Sequence, residues 1–144
     1  TDAASRGCLN GLSLSHTRGH IFRALMEGIG YGTELILEKF RTGGFTPSEM
    51  VICGGATNSK LWMQIHADIS NLPIIKTRVA DAPALGSAML AGICGGAFSS
   101  FEQAADAMVR VERRIEPDPE RHAVYRDLIA DYKALYPALR DIRR

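Results

Sequence analysis

The sequence predicts an α/β domain with a mostly parallel sheet flanked by helices. Short apolar runs typical of buried strands alternate, along the 144 residues, with longer segments whose apolar residues recur at steps of three or four. Glycine pairs, and prolines that closely follow an aspartate, separate these segments where helices should end or begin. Strands joined through helices pair in parallel, so binding sites are expected at their carboxyl ends.

The first half of the chain predicts two strands on either side of one long helix. Apolar residues that alternate with small or polar ones predict a strand over residues 6–15, kinked near Gly11. The apolar periodicity of residues 17–41 predicts an amphipathic helix that ends at the following glycine pair. The continuous apolar run of residues 50–53 predicts a strand that is covered on both faces.

The middle of the chain predicts two helices with a strand between them. Ser59 begins the first of these helices, and a strand follows at residues 74–77. Asp81 and a nearby proline predict the start of the next helix, which is apolar nearly all round and therefore expected to be buried. Its small residues, Gly86 among them, predict close packing against a neighbouring element.

The last third predicts a short helix, a strand and a long helix. Ser100 and Gln103 have the spacing of a capping box, which predicts a helix to about residue 109. Residues 111–115 are expected to be extended. The pair of Asp118 and a following proline predicts a final helix with an apolar, tyrosine-rich stripe that ends at Pro137.

Composition excludes several classes of protein. The net charge of +1 gives no electrostatic footprint for nucleic acid, so no nucleic-acid partner is expected. No apolar run approaches the roughly 20 residues that span a membrane, so no membrane partner is expected. Cys8, Cys53 and Cys94 are odd in number and widely spaced, which predicts neither disulfides nor a metal site. Reduced thiols in the cytoplasm fit this pattern best.

The segment VICGGATNS at residues 51–59 is the strongest candidate for a binding site. Gly54 and Gly55 remove two side chains where the chain leaves a strand, so a flat ring could contact bare backbone. Thr57, Asn58 and Ser59 add hydroxyl and amide groups. The pattern is neither a dinucleotide fingerprint nor a phosphate loop, and a simple tight turn with Asn58 or Ser59 as the helix cap remains open.

Three separated motifs narrow this choice, because their order and spacing resemble one family. They are RGCLNGLSLSHTRGHIFRALMEGIGYG, CGGATNSKLWMQIHADISNLPI and ALGSAMLAG. Together they resemble the C-terminal part of the FGGY-type carbohydrate kinases, within the actin-like ATPase superfamily. The resemblance implies that residues 1–144 are the C-terminal, nucleotide-binding domain, truncated at its N-terminal side. It also implies a partial ribonuclease-H-like fold whose opening hairpin strands are missing.

The resemblance assigns roles to the matched residues. In the family, the glycine turn is an adenosine motif, which implies that Gly54, Gly55, Ala56, Asn58 and Ser59 contact ATP. Thr57 matches less well. Other matched residues are interpreted as structural. The interpretation gives Arg23 and Glu27 a mutual ion pair, and it gives His66 a partly exposed position and Asp68 an ion pair or contact with solvent. For His16 and His20 it favours capping or interdomain hydrogen bonding over a catalytic role.

The implied activity is transfer of the γ-phosphate of ATP to a sugar hydroxyl, with a pentulose or related polyol as substrate. Family enzymes use Mg²⁺ and an aspartate base in segments that this chain lacks, and the sugar is held through the missing N-terminal domain. Phosphoryl transfer needs base, metal and phosphate clamp together, so this chain is expected to have no catalytic or metal-binding residue and to be inactive alone. The missing strands also predict exposed sheet edges, and hence a homodimer or an aggregation-prone chain.

Two other functions remain open from sequence. One is a non-catalytic nucleotide-binding or regulatory module of the same superfamily. The other is an interaction domain that binds no nucleotide and uses Trp62 and the tyrosines of the last helix as its partner surface.

Overall fold

The computed structural model describes residues 6–140, which form an α/β domain of five α-helices and a three-stranded sheet. All five predicted helices and three of the four predicted strands are present in that part of the chain. In chain order the elements are α1 (Arg18–Thr42), β1 (Met50–Ile52), a short 3₁₀ helix (Gly55–Asn58), α2 (Lys60–Ser70), β2 (Ile74–Thr77), α3 (Ala82–Cys94), α4 (Phe101–Met108), β3 (Val111–Ile115) and α5 (Pro119–Leu139).

Side-chain caps begin four of these helices where the sequence predicts them. Ser59 accepts a hydrogen bond from the amide of Trp62, and Asp81 accepts one from Ala84. Ser100 and Asp118 cap α4 and α5 in the same way. These bonds satisfy amides that have no partner inside the helix, which is why the cap residues locate the helix starts. The final helix does not stop at Pro137 but continues through it to Leu139.

The sheet is mixed, whereas the sequence predicts a mostly parallel one. The strand order is β1-β2-β3, with β1 parallel to β2 and β2 antiparallel to β3. The short 3₁₀ helix and one α-helix, α2, join β1 to β2, so the chain crosses over and re-enters in the same direction. Two helices that pack on each other, α3 and α4, join β2 to β3, so the chain returns from the opposite end.

The strand predicted over residues 6–15 is absent. This segment has no regular secondary structure, and Leu12 and Leu14 are exposed. A strand is stable only when a neighbour pairs with its backbone groups, and no strand in residues 6–140 pairs with this segment. The alternation in the sequence therefore permits a strand, but residues 6–140 contain no strand that pairs with this segment.

Helix α2 lies at the centre of the domain. One side packs with α1 and α5, in a cluster whose buried members are Met26, Tyr31, Ile65, Ile69, Tyr125 and Ile129. The other side packs on the sheet through Met63, Ala67 and Ile74. Strand β1 is covered on one face only, because Val51 is 62% exposed, which corrects the prediction that both faces are covered.

Two helices present apolar surface that the sequence places in the core. No residue of α3 is buried, which corrects the predicted burial. A Cβ on Gly86 would meet no atom within 4 Å, so the close packing predicted there is not found, whereas a Cβ on Gly92 would lie 2.7 Å from the ring of Phe98, so Gly92 is closely packed. Among the described elements, helix α3 packs mainly on α4. In α1, predicted apolar positions such as Ile29 and Ile36 face outward. None of the helices in residues 6–140 is long and apolar enough to span a membrane.

Candidate functional site

The glycine turn lies at the carboxyl end of β1, beside the loop that follows the parallel strand β2. Gly54 has φ 80° and ψ −167°, a region of backbone conformation that essentially only glycine populates. Its amide donates a hydrogen bond to the carbonyl of Ala80, with 2.9 Å between the two atoms. The ends of two adjacent parallel strands are therefore tied together at one edge of the sheet, where binding sites in such folds form.

The chain then forms one short 3₁₀ helix before α2 begins. Thr57 is 3% exposed, and its hydroxyl donates to the carbonyl of Gly54 at 2.8 Å. The amide of Thr57 donates to the same carbonyl at 3.1 Å. The tight-turn interpretation offered Asn58 or Ser59 as the cap of α2, and the cap is Ser59.

The outer surface of this turn is open. Gly54, Gly55 and Asn58 are exposed, whereas Ala56 and Ser59 are half-buried. A Cβ added to either glycine would meet no heavy atom of the protein within 4 Å. The five residues predicted to contact ATP thus lie in one continuous turn. Bare backbone with open space above it fits the face of a nucleoside, so the residues present are compatible with that ligand.

Sequence reasoning missed two groups that build the turn. Thr57 lies three residues after Gly54, the spacing at which a threonine hydroxyl can bond to a backbone carbonyl, and this local signal could have identified it. Ala80 contributes only its carbonyl oxygen, and it comes from the loop after the next strand. No side-chain pattern identifies a backbone group of that kind.

The matched residues of α1 have structural roles, as predicted. Arg23 Nε donates to Glu27 Oε1 at 2.7 Å, and Tyr125 from α5 bonds to both side chains. The hydrogen bond to Glu27 has the largest effect on Arg23 and raises its pKa, and the hydrogen bond to Tyr125 raises it further. Burial raises the pKa of Tyr125. His20 accepts the amide of Thr17 at 3.0 Å and so completes a capping box at the start of α1.

Asp68 is buried, which corrects the expectation that it could face solvent. Its side chain is 2% exposed and accepts hydrogen bonds from Gln64 and from the amide of Asp118 at 2.7 and 2.8 Å. The predicted ion pair is present with Arg121 at 3.6 Å. Asp68 therefore joins α2 to the start of α5 and does not face the glycine turn.

His66 is partly buried and stacks on Trp62, with 5.7 Å between the ring centres. Its Nε2 atom is buried and has no hydrogen-bond partner among the described residues. Burial lowers the pKa of His66, because the charged imidazolium is poorly solvated there. Nothing in this arrangement brings His66 to the glycine turn.

The part of the chain between residues 6 and 140 contains no group of three histidine, cysteine, aspartate or glutamate side chains that could hold a metal ion. The three cysteines are free and exposed.

Comparison with known proteins supplies relatives for this fold and turn. Residues 1–94 match the FGGY family of carbohydrate kinases, C-terminal domain. The chain is 35% identical to xylulose kinase of Bacillus subtilis, over 98% of this chain and 28% of that protein. It is 37% identical to ribulokinase of Bacillus licheniformis, over 94% of this chain and 26% of that protein.

A solved structure shows the same fold. The crystal structure of xylulose kinase from Rhodospirillum rubrum superposes with a TM-score of 0.86 at 35% identity, covering 98% of this chain and 29% of that one. The chain thus spans less than a third of the length of each of these relatives.

Proposed function

Because the chain belongs to the FGGY family of carbohydrate kinases, we propose that its glycine turn, residues 54–59, holds the adenosine part of ATP. The observation that carries this proposal is the open backbone surface of Gly54 and Gly55 at the tied ends of two parallel strands. The base of a nucleoside is planar, so its face can approach the backbone closely where no side chain projects. The exposed amide of Asn58 and the hydroxyl of Ser59 add hydrogen-bonding groups on the same turn.

The whole protein to which this domain corresponds is proposed to transfer the γ-phosphate of ATP to a sugar hydroxyl. Relatives named xylulose kinase and ribulokinase support a five-carbon ketose, a pentulose, or a related polyol as the acceptor. In this proposal residues 1–144 are the C-terminal nucleotide-binding domain, the N-terminal domain binds the sugar, and Mg²⁺ accompanies the nucleotide. The reaction would take place in the cytoplasm.

This chain alone is proposed to bind nucleotide without turning it over. Its sequence has no glycine-threonine phosphate turn before the adenosine motif, and the resemblance assigns it no aspartate base. Catalysis of phosphoryl transfer requires the base, the metal and the phosphate clamp in one place. The chain would therefore contribute adenosine binding to a larger enzyme.

Calorimetric titration of the chain with ADP tests the nucleotide site. We expect saturable binding at concentrations up to about 1 mM, the upper end of the usual range of KM values. Gly55→Ala should weaken ADP binding about tenfold, because the new Cβ projects into the open space that the nucleoside would fill. Folding should be unaffected, since that Cβ meets no protein atom.

The matched control is Gly28→Ala in α1, where an added Cβ also meets nothing within 4 Å but lies outside the turn. This variant should bind ADP like the wild type. If the wild type shows no saturable binding, the chain is not a nucleotide-binding domain, and the interaction-domain alternative is favoured. If the chain alone phosphorylates xylulose or ribulose with ATP and Mg²⁺, the proposed division of labour is wrong.

A further inference from the structure

The peptide between Gly54 and Gly55 is held from one side by a single residue. The Gly54 carbonyl accepts two hydrogen bonds from Thr57, one from the hydroxyl at 2.8 Å and one from the amide at 3.1 Å. The peptide that precedes Gly54 is fixed as well, because the Gly54 amide donates to Ala80. Both peptide planes that flank Gly54 therefore have a defined orientation.

That orientation determines where the next amide points. No cis peptide bond occurs in the described residues, and in a trans peptide the carbonyl and the N–H point in opposite directions. Since the Gly54 carbonyl points at the buried Thr57, the Gly55 N–H points away from it. Gly55 is exposed, with open space where a Cβ would lie. The Gly55 amide is thus presented as a donor on the open surface of the turn.

We propose that Thr57 is a positioning residue of the nucleotide site, whose hydroxyl holds the Gly54–Gly55 peptide so that the Gly55 N–H faces the bound nucleoside. This inference rests on the proposed function. The Gly55 amide would donate to an acceptor of the ligand, either a ring nitrogen of the base or an oxygen of the ribose. Thr57 itself does not touch the ligand and acts through the peptide that it holds.

The hydroxyl matters because the backbone bond alone is weak. Hydrogen bonds between residues three apart, as in 3₁₀ turns, have poorer geometry than those of an α-helix. The Thr57 hydroxyl adds a second donor to the same carbonyl, and it is buried, so water competes with it poorly. A donor that is already oriented before binding loses little freedom when the ligand arrives, which increases affinity.

Two substitutions at Thr57 separate the hydroxyl from the bulk of the side chain. Thr57→Val keeps the branched shape and removes the hydroxyl, and we expect it to weaken ADP binding roughly fivefold, the loss of about one hydrogen bond. Thr57→Ser keeps the hydroxyl and should bind ADP within about twofold of the wild type. The second result would show rescue by the conservative variant.

Thr42→Val is the matched control. The Thr42 hydroxyl also donates to a carbonyl three residues earlier, that of Lys39, but at the end of α1. Its removal should leave ADP affinity unchanged. Chemical unfolding followed by Trp62 fluorescence, Trp62 being the only tryptophan, checks that each variant is folded before binding is measured.

Nuclear magnetic resonance of the wild-type chain tests the role without any substitution. The Gly55 amide signal should shift on addition of ADP, and its shift should decrease in Thr57→Val at equal saturation. ADP binding that leaves the Gly55 signal unmoved, or binding that Thr57→Val does not weaken, would overturn the role of Thr57 and leave the nucleotide site intact. If the wild type does not bind ADP at all, both the site and this role are wrong.

Discussion

Gly54 and Gly55 are adjacent in the turn, but the structure uses glycine at each for a different physical reason. At Gly54 the backbone itself requires glycine, because its φ of 80° and ψ of −167° bring a Cβ into steric conflict with the main chain. At Gly55 no positive φ occurs, and only the space above the turn would be lost. A substitution at Gly54 should therefore lower the stability of the fold, whereas a substitution at Gly55 should weaken nucleotide binding.

Replacing Gly54 by alanine should destabilise the fold by about 1–3 kcal/mol, the cost of holding a non-glycine residue in that conformation. The midpoint of urea unfolding, followed by Trp62 fluorescence, measures the change. Gly55→Ala is the matched control and should keep the wild-type midpoint. Equal midpoints for Gly54→Ala and Gly55→Ala would mean that the backbone at Gly54 relaxes to a conformation open to alanine.

The stability of the domain should depend on pH because of His66. Burial lowers its pKa in the folded state, so the unfolded chain binds a proton at a higher pH than the folded chain does. The stabilisation by neutral His66 is complete above the unfolded pKa of about 6.5, and it is lost as the pH falls through the folded pKa. Within residues 6–140, the buried Nε2 atom has no hydrogen-bond partner that could offset the charge.

We expect His66→Phe to remove this dependence, because phenylalanine keeps a ring against Trp62 and does not titrate. Unfolding free energies of wild type and variant should be compared at steps between neutral and mildly acidic pH. The wild type should lose stability relative to the variant as the pH falls. Parallel curves for the two proteins would show that His66 takes up its proton without cost in the fold.

At the scale of elements, the contact between α1 and α2 depends on one glycine. A Cβ on Gly30 would lie 2.5 Å from Cδ1 of Ile69, closer than real Cβ atoms approach other groups. Ile69 is 4% exposed and belongs to the central cluster, so its side chain has little room to move. The absence of a side chain at Gly30 therefore sets how closely the two helices approach.

Gly30→Ala should destabilise the domain by about 1–3 kcal/mol through overpacking, even though alanine favours helix more than glycine does. Gly28→Ala, in the same helix with open space around it, should be neutral or up to about 1 kcal/mol stabilising. Combining Gly30→Ala with Ile69→Val should reduce the penalty, since valine lacks Cδ1. A Gly30→Ala variant as stable as Gly28→Ala would contradict this account of the contact.

At the scale of the whole molecule, apolar surface is exposed on several elements of the fold. Five apolar side chains along one face of α1 are at least half exposed: Phe22, Leu25, Ile29, Ile36 and Phe40. Leu90 of α3 and Val51 of β1 are also exposed. Within the described residues β1 pairs on one side only, so it presents a free strand edge as well. Soluble monomers rarely expose large apolar surfaces of this kind.

The chain is therefore expected to associate with itself at micromolar concentration, and sedimentation velocity over a dilution series measures this. The double variant Ile29→Glu and Ile36→Glu should shift the distribution toward monomer, because both side chains are exposed and two charges oppose burial of that face. Val124→Glu, at an exposed position of α5, is the control and should leave association unchanged. A wild-type chain that stays monomeric throughout would refute the prediction.

The sequence was sufficient for those features that depend on residues close together in the chain. Helix starts at Ser59, Asp81 and Asp118 follow from hydrogen bonds that reach only two or three residues, so local chemistry identifies them. The glycine turn was also visible, because a glycine pair after an apolar run marks the end of a strand and permits the backbone conformations that a tight turn needs. The expectation that this turn binds a nucleotide came from the resemblance to the FGGY family, because composition and periodicity alone do not indicate a ligand.

Partners distant in sequence decided the remaining features. The alternation in residues 6–15 did not produce a strand because no strand in residues 6–140 pairs with it. The apolar helix α3 stayed exposed because it packs mainly on α4, which leaves the rest of its surface uncovered in the described part of the chain. The carbonyl of Ala80 reaches Gly54 from the loop after another strand. A local pattern indicates which secondary structure a segment can form. Strand pairing and burial depend on which surfaces the fold brings together, and only the tertiary structure determines that.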